Sequence, residues 1–179
     1  HFSDSLELKC VISDVDGKKY CVRDRKKLHE SADMLAHTTA NCRTLIDHLV
    51  EKYGDEKKCV YRLRTQFKAD KVYEILPTSK FTAYSENKGE KLAFCLNTTK
   101  NGEERIDQNT LQFVAFHELA HIATLSVGHT EEFWRNFQFI LKEAEDLGIY
   151  QVVNYKDNPV EYCGMTINSS PYFRKNKEV

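Results

Sequence analysis

The chain has 179 residues, 41% hydrophobic and 30% charged, with 7 glycines and 3 prolines, a composition that excludes a disordered, collagenous or linker-dominated chain and suits one globular domain. Its 26 Lys plus Arg against 27 Asp plus Glu give a formal charge of -1, so no whole-chain field draws it to nucleic acid or anionic lipid. The apolar runs are short and broken by charge or His, which predicts no membrane contact from this segment.

In chain order, Leu6 to Ser13 and Lys18 to Arg23 are rich in Val, Ile, Tyr and Cys and flank Asp14-Val15-Asp16-Gly17, the pattern of a β-hairpin closed by an Asp-Gly turn. With Asp24 as N-cap, Leu28, Ala32, Leu35, Thr39, Cys42, Ile46, Leu49 and Tyr53 recur at alternating spacings of four and three, which predicts one long amphipathic helix stopped by Gly54. His29, His37 and His48 lie off that stripe and are expected on the surface. From Lys57 to Lys71, six Lys and Arg surround Val60, Leu63 and Phe67, consistent with a short helix whose cationic side is a solvated face. Val72 to Leu76 reads as a strand, and Lys91 to Asn97 alternates Leu92, Phe94 and Leu96 as a half-buried strand does. The stretch between them is expected to be loop.

Asn109 with Gln112 suggests a capping box for a helix reaching about Ser126, apolar on all sides and therefore buried. Thr130 caps a further helix with the stripe Phe133, Phe137, Ile140, Ala144 and Leu147, ending at Gly148. Tyr150 to Tyr155 is an expected strand. Cys10, Cys21, Cys42, Cys59, Cys95 and Cys163 lie far apart with no C-x-x-C pair, so reduced, buried thiols are the default expectation. Their even number would also allow disulfides, which a domain of this size does not need.

The buried helix contains His117-Glu118-Leu119-Ala120-His121. Spacing i, i+4 sets both imidazoles on one helix face, a geometry suited to a single metal ion. Three ionisable groups in an apolar helix carry a large desolvation cost unless a partner rewards their deprotonated forms, and Zn2+ supplies that partner. A catalytic zinc takes three protein ligands and leaves a fourth position to water. His129, following Gly128 where the chain must turn into the next helix, is the candidate third donor, with Glu143 as the carboxylate substitute. Glu118, about 100° around the helix from His117, is the candidate general base for peptide hydrolysis. Tyr162 or Tyr155 could donate to the developing oxyanion, although the sequence singles out neither. An exposed edge on the Lys91 to Asn97 strand could pair with an extended substrate. The motif Tyr162-Cys163-Gly164-Met165 could wall the cleft or bring Cys163 to the metal as an inhibitory thiolate, with core packing as its default role.

HELAHIATLSVGHTEEFW resembles the zinc core of the WLM and SprT (Spartan-like) metallopeptidases, and Phe133 and Trp134 match the aromatic place that follows the third His in that pattern. Lys91 to Pro171, including GEKLAFCLN and NPVEYCGMTINSSP, looks most similar to WLM-like metallopeptidases encoded by large DNA viruses. The resemblance implies His117, His121 and His129 as zinc ligands, Glu118 as the catalytic residue, and protein substrates, including proteins crosslinked to or bound on DNA. It departs from the pattern in a longer step from His121 to His129 and in having no ubiquitin- or SUMO-binding tail or zinc ribbon. It also implies an intracellular or virion-associated protein, and viral relatives often carry an N-terminal membrane segment.

The expectation is therefore an α+β, zincin-like minimal metallopeptidase with a long N-terminal helix, a small β-sheet and an HExxH active-site helix. Residues 1–179 form one domain in this reading, with the hairpin, long helix and sheet in 1–108 and the active-site helix and C-terminal helical part in 109–179. Its partner is a protein or peptide substrate. The rivals are a DNA-dependent protease acting on DNA–protein crosslinks through the Lys57 to Lys71 face, with Arg62 and Arg64 as its backbone contacts, and a non-catalytic zinc-stabilised structural or virion protein.

Overall fold

The structure, a computed structural model, describes residues 7–175; Leu6, the first residue of the expected hairpin, lies outside them. It is a mixed α/β arrangement of four helices and a small sheet. β1 (Leu8–Ile12) and β2 (Lys19–Arg23) form the expected antiparallel hairpin, with Gly17 at φ 70° supplying the turn. α1 (Leu28–Tyr53) and α2 (Lys58–Gln66) lead to β3 (Lys71–Glu74), followed by β4 (Ala83–Glu86) and β5 (Lys91–Phe94). The five strands run in the order β1-β2-β3-β5-β4, with β2, β3 and β5 parallel and both outer strands antiparallel to their neighbours. α3 (Gln108–Ala123), α4 (Glu131–Asp146), the hairpin β6 (Val160–Tyr162) and β7 (Met165–Ile167), and a 3-10 turn at Pro171–Phe173 complete the described chain.

The apolar stripe of α1 is buried as its spacing requires, at Ala32, Leu35, Thr39, Cys42, Ile46 and Leu49, and Gly54 at φ 70° ends the helix. Its start differs from the expectation at Asp24. The N-cap is Lys27 in the left-handed region, with no side-chain cap, because Arg25 is drawn sideways into a buried ion pair with Glu74 (2.7 Å) and a hydrogen bond to Asn97 (3.0 Å) before the chain can turn. His29 and His37 are exposed as expected, whereas His48 is only partly so and lies 3.5 Å from Glu143.

Three strand expectations are corrected. β4, read from sequence as loop, is an edge strand running into a turn where Asn87, Lys88 and Gly89 all have positive φ. Gly89 is required there, since a Cβ would come within 2.7 Å of the Gln66 carbonyl oxygen. β5 is not half-buried: Leu92, Ala93 and Phe94 are all covered, because Ala93 lies between its direct partners Tyr73 and Tyr84, whose larger side chains share its face. β5 therefore has no free edge; among the described residues the outer strands of the sheet are β1 and, beside β5, β4. Tyr150 to Tyr155 forms no strand. Asn109 holds its backbone by accepting from Gln151 N (3.0 Å) and donating to Gln151 O (2.8 Å), while Tyr150 and Tyr155 pack their rings on Phe113.

The cysteine expectation is corrected too. Cys10 and Cys21 are direct partners across the β1–β2 hairpin and form a disulfide, and a second disulfide joins Cys95 to Cys163. Cys42 and Cys59 alone remain buried thiols. Burial pushes the Cys42 pKa up to about 12, so that thiol is inert. Among the described residues, no helix is long and apolar enough to cross a membrane.

Candidate metal centre

α3 sets the geometry of the site. Its N-cap is Asp107, not Asn109, and accepts from Thr110 N at 2.9 Å. From Thr110 to Ala123 every residue is buried except His117 and His121. These two are one turn apart on the open strip of an otherwise enclosed helix, with ring centroids 4.8 Å apart. The helix stops at Ala123, short of the expected Ser126, because side chains from three elements take its terminal carbonyls. Arg62 donates to Ala123 O (3.1 Å), Lys88 to Thr124 O (2.9 Å), and Asn136 to Ala123 O (3.4 Å). Two of these donors are cationic, as a helix C-terminus favours.

The early stop releases six residues, 124–129, to form the connection that carries His129. The Glu132 carboxylate accepts from Ser126 N (3.1 Å) and Ser126 Oγ (2.8 Å), and Ser126 Oγ also meets Thr130 Oγ1 at 2.7 Å. The Ser126 bonds hold the Glu132 pKa below the usual carboxylate range. Gly128 at φ 84° then turns the chain back, and Thr130 caps α4 by accepting from Phe133 N, as the sequence indicates. His129 is thereby folded under α3, its Nε2 3.3 Å from His121 Nε2.

The candidate donor atoms of His117, His121 and His129 all lie within 4.8 Å of one another. Nitrogens bound at about 2.0–2.1 Å around a tetrahedral ion are about 3.3–3.4 Å apart, so the His121–His129 separation already matches one edge of such a site. The three rings lean on Phe133, with centroids 5.2, 4.3 and 4.7 Å from it in chain order. Burial pushes the His121 pKa down to about 4, against the charge of Glu118 and assisted by His117 and His129; burial lowers that of His129 as well. Neutral rings with free lone pairs are the form that binds a divalent cation.

Glu118 is buried on the same helix, its Oε1 3.6 Å from His117 Nδ1. Together with His117 it faces a cavity enclosed by α3, α4, the start of β4 and the β6–β7 hairpin. The alternative donor Glu143 lies elsewhere, bound by Tyr53 OH and by Lys52 Nζ at 3.2 Å. Of the two tyrosines named for the oxyanion, Tyr155 is fully buried against Phe113, and Tyr162 lines the cavity but donates its hydroxyl to Thr82 O at 2.8 Å. Cys163 is bonded to Cys95, so it offers no inhibitory thiolate. Cys163-Gly164 forms the turn between β6 and β7, which makes the motif a cleft wall. The sequence marks this motif but not its partners, because Tyr162 and Met165 come to line one cavity with α3 and α4 only through tertiary folding.

The basic side of α2 is partly committed to structure. Arg62 binds the end of α3 and lies 3.7 Å from Glu132, and Arg64 makes two 2.8 Å hydrogen bonds to Asp55.

Comparison with known proteins finds viral relatives and a solved structure of similar fold. An uncharacterized protein of Acanthamoeba polyphaga mimivirus is 33% identical over 165 residues, spanning 90% of this chain and 83% of its own. An uncharacterized protein of Invertebrate iridescent virus 6 is 36% identical over 61 residues, 34% of each chain. The crystal structure of Wss1 from Saccharomyces cerevisiae shares the fold with a TM-score of 0.52 over 71% of this chain and 87% of that one, at 13% identity. The WLM domain pattern is matched from residue 57 to 178, and with the long viral relative this establishes that the chain belongs to the WLM domain family.

Proposed function

We propose that the chain is a zinc-dependent endopeptidase with a zincin-like site, in which His117, His121 and His129 hold the ion and Glu118 is the general base. Membership of the WLM family points to a metal-dependent protease. The observation that carries the reading is the convergence of three imidazoles, with donor atoms within 4.8 Å, beside a buried carboxylate at the mouth of a cavity. Zinc held there would supply Lewis-acid chemistry, acidifying a water and polarising the scissile carbonyl. Glu118 would accept a proton from the attacking water as its oxygen bonds to the carbonyl carbon and pass it to the amine as the C–N bond breaks, a role its low exposure favours by excluding competing solvent.

The open edge of β4 is suited to align an extended substrate. Cys95 N donates to Thr82 O, so in the antiparallel register Ala83 and Ser85 turn their backbone groups outward, and Ala83 also borders the cavity. A peptide lying along this edge would bring its scissile bond past His117 and Glu118.

The rival structural-zinc reading requires a fourth protein donor. The described cluster offers three, and Cys163 is engaged elsewhere, which favours catalysis. The test is Glu118→Gln. The variant is expected to retain about one zinc per chain by metal analysis while its peptide hydrolysis falls roughly 100-fold or more. Full activity in that variant, or purified, never-chelated protein without metal, ends the proposal.

A further inference from the structure

Leu125 and Val127 are 69% and 91% exposed, the most exposed of the large apolar residues among those described. The backbone that carries them is anchored. Leu125 N and Ser126 N donate to the Glu132 carboxylate at 3.5 and 3.1 Å, Ser126 Oγ meets Thr130 Oγ1 and Glu132, and Thr124 Oγ1 accepts from Asn136 at 2.9 Å. Turning the two side chains inward would break these bonds. Single apolar side chains scattered over a surface are ordinary; two flanking an anchored serine on a fixed support offer apolar area that a bound chain can cover.

Their position selects that chain. β4 starts beside the cavity at Ala83, where His117 also lies. The turn that follows β4 abuts the other end of α3: a Cβ added at Gly89 would lie 3.0 Å from Ile122 Cδ1, and Lys88 Nζ donates to Thr124 O at 2.9 Å. Leu125 is the next residue. A chain aligned on the outer edge of β4 therefore has the cavity at one end and Leu125 and Val127 at the other.

Resting on the peptidase reading above, we propose that Leu125 and Val127 form an apolar contact for the substrate chain outside the cavity, several residues from the scissile bond. Antiparallel pairing with β4, the more stable alignment per residue, puts the amino-terminal side of the substrate at this end. At about 3.3 Å per residue, the contact falls roughly three to five residues before the cut. The substrate class is then extended segments with an apolar residue in that stretch, since a folded domain offers β4 no free backbone.

Peptides of about twelve residues, long enough to span the β4 edge, carry Leu or Ser at those positions and are assayed with the zinc-loaded chain and with Leu125→Ser combined with Val127→Ser. Both side chains are exposed, so the variant loses no core packing, and metal analysis checks that its zinc is retained. In the parent chain, kcat/KM should be roughly tenfold higher for the Leu peptide, through KM with kcat unchanged, because so remote a contact is made equally before and in the transition state. In the double variant the Leu-to-Ser ratio should fall to about one, and Leu125→Met with Val127→Ile should restore it. A second readout needs no turnover: binding of a fluorescent Leu peptide to Glu118→Gln, followed by anisotropy, should weaken roughly tenfold when both serines are added. No preference in the parent chain, or a preference that the double variant keeps, overturns the contact while leaving the peptidase reading standing. Failure of the peptidase reading looks different: no peptide is cut, and the anisotropy alone decides the contact, upheld if binding depends on the two side chains and overturned if it does not.

Discussion

Cys95–Cys163 and Cys10–Cys21 differ sixfold in the length of chain they close, with sequence separations of 68 and 11. If a disulfide acts mainly by restricting the unfolded chain, the long loop contributes about 4.4 kcal/mol at 25 °C and the short one about 2.8 kcal/mol. The perturbation is the pair Cys95→Ala with Cys163→Ala, compared with Cys10→Ala and Cys21→Ala. Alanine leaves no buried hydroxyl unpaired at either site. The folded hairpin should survive the loss of Cys95–Cys163, because Cys163 N still donates to Asn97 O (2.8 Å) and Gly164 N to Thr98 O (2.9 Å).

Urea unfolding of chelator-treated protein isolates the chain term from any stabilisation by bound metal. At a slope of about 2 kcal/mol/M, the first pair should lower the midpoint by roughly 2 M and the second by roughly 1.4 M. Equal losses, or a larger loss from the hairpin pair, would refute the entropic ranking.

Glu132→Ala removes the acceptor that fixes Ser126 without touching any of the three imidazoles; zinc affinity measured by competition should fall roughly ten- to a hundredfold. Ser85→Pro deletes one outward N–H from the β4 edge and should raise KM for extended peptides several-fold with kcat little changed. Burial acts to raise the Glu143 pKa, but hydrogen bonds from Tyr53 and Lys52 and the nearby charges of Lys52 and His48 outweigh it and hold it below the ordinary 4.5. Its contribution is therefore complete above the unfolded-state pKa and lost as pH falls through the lower folded value. Glu143→Gln should cost about 2 kcal/mol at pH 7 by denaturant titration and almost nothing once the folded carboxylate is protonated.

The sequence made legible whatever depends on local period and spacing. The stripe on α1, the all-round apolar character of α3, the Thr130 cap and the one-turn spacing of His117 and His121 each follow from neighbours within a few turns. What escaped depends on distant partners. β4 is four residues of mixed polarity, Ala-Tyr-Ser-Glu, stabilised by β5 rather than by a pattern of its own. Asp24 has the chemistry of a cap, but Glu74, 49 residues beyond Arg25, decides where α1 begins. The disulfides escaped for the opposite reason: size arithmetic speaks against needing them, yet it cannot see that Cys10 faces Cys21 in register.

The connection after α3 shows why the third imidazole could be named from sequence only as a candidate. Continuing the helix from Ala123 to Ser126 would have carried the chain three further residues along its axis, about 4.5 Å, away from the His117–His121 strip. Instead Arg62, Lys88 and Asn136 satisfy the last carbonyls early, and the residues so released are enough to reverse direction at Gly128. The same Arg62 was a candidate for DNA contact on the strength of its charge. In the fold its guanidinium terminates the helix that bears two of the imidazoles, so Arg62→Ala should weaken zinc binding even in the absence of nucleic acid. Zinc affinity unchanged by Arg62→Ala, measured without DNA, would mean that the helix end does not depend on this side chain and would return Arg62 to the solvated cationic face.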